Sequence, residues 1–149
     1  GQFNQPNTLV YLYAYMAQSP LNAPSVFSWF SPMYRVPHVT LAGPKGTIFG
    51  PEFQIYSPME ATLRGNLFHY MLGNPGGGDF TLDLSTFQPF GNDLPGLVEL
   101  VNQKLLYGRM PAAMKQALID AAAPGFGTST RIETVLYLTA LSGQYAIQH

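Results

Sequence analysis

Between Leu21 and Pro51 the chain carries five prolines and three glycines in thirty-one residues. Each proline lacks an amide donor and fixes its own φ, so neither a long helix nor a central strand fits there. Residues 21–56 are therefore predicted to form a long irregular region, with short helical turns at most near Val26–Phe30. Loops of this length in a compact domain are usually functional or packed by their own side chains. Regular structure has to be built from the rest of the chain.

There the signals are helical. Asn7 or Thr8 can cap a helix over 9–18 that is apolar on all sides and ends at Ser19-Pro20. "SPME" at Ser57–Glu60 reads as a capping box with Pro58 at the first helical position. The helix predicted over 58–72 turns Leu63, Leu67, Tyr70 and Met71 inward and pairs Glu60 with Arg64 outside. After the break "GNPGGGD", residues 80–84 alternate enough for a short strand. Asn92 or Asp93 opens a helix over 94–107, with Leu97, Val98, Val101 and Leu105 on one face and Gly108 at its end. Pro111 starts another over 111–123, carrying Met114, Leu118 and Ala122 inward. Thr130 and Glu133 form a second capping box for a helix over 130–142, whose inner stripe is Ile132, Val135, Leu136 and Thr139. The expected fold is mostly α. About five helices pack around one core in a single domain spanning 1–149, with at most a short strand near 80–84.

Charge narrows the function classes. Only 10% of residues are charged, against about 25% in an ordinary soluble domain. A surface so poor in charge is expected to be covered by a partner or by more of the same polypeptide. Seven basic and eight acidic residues are scattered singly, which leaves no basic patch for nucleic acid. The longest apolar run, Leu9–Ala17, is nine residues, too short to span a bilayer, and no basic segment precedes it as in a signal peptide. Gly1 in place of an initiating Met suggests that residues once preceded it. With no cysteine, disulfides and thiolate metal sites are ruled out.

No complete catalytic constellation is legible. His38, His69 and His149 lie far apart, with no metal-ligand spacing and no cluster of acids around them, so neither metal nor cofactor is expected. "LSGQ" and "STFQ" lack the glycine frame of a nucleophile elbow, and "GNPGGGD" lacks the Lys-Ser/Thr ending of a phosphate loop. One copy of an Asp- and Gly-rich segment cannot build a calcium-binding solenoid. Arg35 and Glu52 are the strong base and the acid of the aromatic region. They are expected to pair and pin the loop; alternatively Arg35 binds an anion and Glu52 orients it.

"PSVFSWFSPMYR", Pro24–Arg35, sets Phe27, Trp29, Phe30 and Tyr34 at spacings that no single helix or strand face collects. Rings held between prolines cost little entropy to order, and burying each one contributes about 1.5–3 kcal/mol. The favoured reading is an aromatic packing wedge with Trp29 mostly buried. The competing one is a glycan platform that stacks sugars on Trp29 and Tyr34. Trp29, Tyr34, Arg35 and Glu52 are thus the candidates for ligand or interdomain contact.

"SVFxxFSPxY" followed by "PEFQI", with "LVELVNQKLLYGRM" and "LYLTALSGQYAIQ" further on, resembles the C-terminal part of the bacterial domain-of-unknown-function 1800 family. The resemblance covers nearly the whole chain. It implies a longer, largely helical, exported protein, periplasmic or extracellular, often encoded beside a sulfatase-like companion. It further implies that an N-terminal portion is missing here and is the surface on which the aromatic loop docks. "SGQY" stands where the family more often reads Ser-Pro-Glu-Tyr, which argues against acid chemistry at that place. The resemblance implies no particular reaction. The expected function is a non-catalytic interaction module, with part of an exported enzyme or of a glycan-binding protein as the alternative.

Overall fold

A computed structural model describes residues 2–3, 16–18, 23–39, 42–43, 46–73, 80–123 and 125–146. Among them are five α-helices: α1 (Pro58–Gly73), α2 (Leu94–Leu105), α3 (Ala112–Ala122), α4 (Thr128–Ala140) and the single-turn α5 (Gly143–Ala146). Two 3-10 turns, Pro51–Ile55 and Gln88–Phe90, punctuate the connections. Among the described residues, two-residue strands lie at Gln2–Phe3, Ala42–Gly43, Gly46–Thr47 and Phe80–Thr81, with an isolated bridge between Ser25 and Ser28. The mostly helical class is as expected. The helix predicted over 9–18 falls outside the described residues except for 16–18.

By its internal contacts the chain divides into two compact units. One is Phe3–Leu67, the other Phe68–His149 together with Gly1–Gln2, and the boundary falls inside α1.

The hydrophobic core belongs to the second unit. α2 supplies Leu97, Val98 and Val101, α3 supplies Leu118 and Ala122, and α4 supplies Ile132, Val135 and Leu136. Leu106 and Met110 close it from the turn between α2 and α3. These three helices pack on one another, and the turn at Gln88–Phe90 packs on α2 and α4. Helical periodicity places the inward residues as predicted, down to the buried Thr139 at the end of the α4 stripe.

Local chemistry explains how α2 begins and ends. Asp93 is its N-cap and accepts from the Gly96 amide at 3.1 Å. At the far end the chain reverses through left-handed backbone at Tyr107 and Gly108, with φ of 52° and 79°. The Gly108 amide donates back to the Asn102 carbonyl at 3.1 Å. Asn102 itself is buried. Its Oδ1 accepts from the Met110 amide at 2.9 Å and its Nδ2 donates to Glu99 at 3.1 Å, so one side chain on the apolar face fixes the α2–α3 turn. Pro111 is the N-cap of α3 rather than its first helical residue.

The second capping box does not form. α4 starts at Thr128 behind Gly127, which places Thr130 inside the first turn, where its carbonyl accepts from the Thr134 hydroxyl at 2.7 Å. The cause is tertiary. A Cβ on the buried Gly91 would lie 2.0 Å from Thr128 Cγ2, so the helix start is seated against a glycine on another segment. Arg131 Nη1 adds a bond to Asn92 at 3.3 Å.

In the first unit, α1 starts at Pro58 as the "SPME" signal predicts, and the Ser57 hydroxyl bonds to the Glu60 carboxylate. That bond, with the Ser57 and Glu60 backbone amides behind it, holds the Glu60 carboxyl below its ordinary value. The predicted outer pair of Glu60 with Arg64 is not made. Arg64 Nη2 donates instead to the carbonyls of Ile55, at 2.9 Å, and Met16, at 3.1 Å, while the guanidinium lies 4.9 Å from the centre of the Tyr56 ring. Of the predicted inner stripe, Leu67 is buried, Leu63 and Met71 are half-buried, and Tyr70 is exposed.

Candidate functional site

Serine hydroxyls and tight turns build the aromatic loop. The Ser28 amide donates to the Ser25 carbonyl at 3.1 Å, and the Phe27 amide donates to the Ser25 hydroxyl at 3.1 Å. Ser28 sits in the left-handed region at φ 67°, which turns the chain sharply between the Phe27 and Trp29 rings. The Ser31 hydroxyl accepts from the Met33 amide at 3.3 Å, and the Tyr34 amide donates to the Ser31 carbonyl at 3.0 Å.

"PEFQI" holds this loop from outside. The Ser31 amide donates to Gln54 Oε1 at 2.7 Å, and the buried Gly50 donates its amide to the Tyr34 carbonyl at 3.0 Å. Pro51 starts a 3-10 turn in which Gln54 follows Glu52 and Phe53, and Arg64 caps its last carbonyl at Ile55. The two phrases that stand out in the sequence are thus stitched together by backbone-directed hydrogen bonds. Gln54 lies twenty-three residues from Ser31, so no local signal in the sequence marks this bond.

The result is an open hollow of about 460 Å³ lined by Phe27, Trp29, Phe30, Met33, two prolines, three serines and Gln54. No charged side chain lines it. Trp29 and Phe30 are half-buried, and the Trp29 indole nitrogen is enclosed with no hydrogen-bond partner. Phe27 is 59% exposed, Met33 68% and Val26 95%. None of residues 23–39 is fully buried, so the wedge is not a core in its own unit. It is a hydrogen-bonded loop with Val26, Phe27 and Met33 turned outward and Trp29 and Phe30 half-buried.

Of the four candidates, only Trp29 lines the hollow. Tyr34 contributes backbone hydrogen bonds beside it. The expected pairing of Arg35 with Glu52 is not formed. The Arg35 guanidinium lies over the Phe49 ring, 5.3 Å from its centre, and Glu52 is exposed in the first turn of Pro51–Ile55. A cation over a ring face is attracted by the ring quadrupole without giving up its water, which favours this arrangement over a fixed ion pair.

Elsewhere, His69 meets Tyr137 edge to face, with centroids 5.9 Å apart. Among the described residues no group of three or more His, Asp or Glu side chains is placed to hold a metal ion. The Glu99 carboxyl is lowered from its ordinary value to about 2, chiefly by the Lys115 ammonium at 2.6 Å and then by Gln103. That cluster ties α2 to α3 at the surface. It is a structural brace.

No family model matches the chain, and neither the curated proteins nor the solved structures searched include a match. No helix among the described residues is long and apolar enough to cross a membrane.

Proposed function

We propose that this chain is a non-catalytic interaction module, the helical C-terminal part of an exported bacterial protein similar to the domain-of-unknown-function 1800 family. Its aromatic loop docks on the upstream portion of the same polypeptide that the resemblance implies. One observation carries the reading: Val26, Phe27 and Met33 are exposed on a loop whose backbone is already pinned by Gln54 and Gly50. A pinned loop has little backbone entropy left to lose on association, so less of the about 1.5–3 kcal/mol contributed by burying each of these side chains is offset by ordering the loop.

The test is a calorimetric titration of this chain with the separately produced upstream portion. Binding is expected, weakened at least tenfold when Phe27 and Met33 are both changed to Ser, a change the exposed loop should tolerate without unfolding. Absence of binding by the folded wild-type chain would overturn the reading. Saturable quenching of Trp29, the only tryptophan, by oligosaccharides would favour the glycan-binding alternative instead.

A further inference from the structure

We draw no further inference here: the strongest candidate, the uncharged hollow of the aromatic loop read as a pocket for one particular ligand class, belongs to the site already described, and nothing in the structure shows what covers it.

Discussion

The helices of residues 94–140 and the loop of residues 23–39 are both rich in apolar side chains, yet they use them in opposite ways. In α2, α3 and α4 the inward stripes, Leu97, Val98, Val101, Leu118, Ala122, Ile132, Val135 and Leu136, are enclosed, and Lys115 and Glu99 brace the edge. In the loop the polar groups do the fixing, through Ser25, Ser31, Gln54 and Gly50, and the rings face partly or wholly outward. Order can therefore come from side-chain burial or from backbone-directed hydrogen bonds. Only the second leaves apolar surface available for a partner.

The largest effect should appear when the comparison is attacked directly. Ile132 is wholly enclosed, and Ile132→Ala should cost about 2–5 kcal/mol through lost burial and a residual cavity. Val26 is 95% exposed, and Val26→Ala should stay within about 0.5 kcal/mol. Urea midpoints of the two variants decide the matter; comparable losses would mean that the loop is core after all.

Arg64 comes next. In the loop-bearing unit its guanidinium ties the Ile55 and Met16 carbonyls and stacks on Tyr56. Arg64→Ala should cost about 1.5–3 kcal/mol, the range for hydrogen bonds to charged groups. Arg64→Lys should recover only part of this, since an ammonium lacks the planar fork and the stacking face. Full recovery by Lys in urea titrations would show that charge alone matters there.

These residues also mark where the sequence is legible. The starts of α1 and α2 can be read because the partners lie within one turn: Ser57 bonds to the Glu60 carboxylate, and Asp93 accepts from the Gly96 amide. The α4 stripe can be read because burial follows helical periodicity. Thr130 misleads because the true start depends on Gly91, far away in the chain. Arg64 misleads because its acceptors lie nine and forty-eight residues off, while Glu60 lies one turn away. Asn102 is invisible as a buried hub because one of its partners, the Met110 amide, is a backbone group that carries no letter of its own. In the loop, composition announces irregular backbone and aromatic content. Which way the rings face depends on Gln54 and Gly50, so Phe27 could not be assigned outward from "PSVFSWFSPMYR" alone.

The smallest expected effect belongs to the surface brace. The Glu99 carboxyl is lowered from its ordinary 4.5 to about 2. A lowered carboxyl contributes stability in full above its unfolded value and loses it as pH falls towards the folded one. The advantage of wild type over Glu99→Gln should thus be present at neutral pH and shrink between pH 4.5 and 2. It should also weaken with salt, since the Lys115 and Glu99 side chains are 35% and 48% exposed. Thermal unfolding across this pH range checks it, and a difference that grows on acidification would reverse the assignment.

The most direct test of the account is amide hydrogen exchange on this chain alone and within the longer polypeptide that the proposed docking requires. Alone, the amides of Val26, Trp29 and Phe30 should exchange rapidly, while those of Val101, Ile132 and Val135 exchange only on global opening. In the longer polypeptide the loop amides should slow by at least tenfold and the helical ones should keep their rank. Loop amides that exchange equally fast in both would contradict docking, and loop amides as slow as Ile132 in the isolated chain would contradict the division between the two regions.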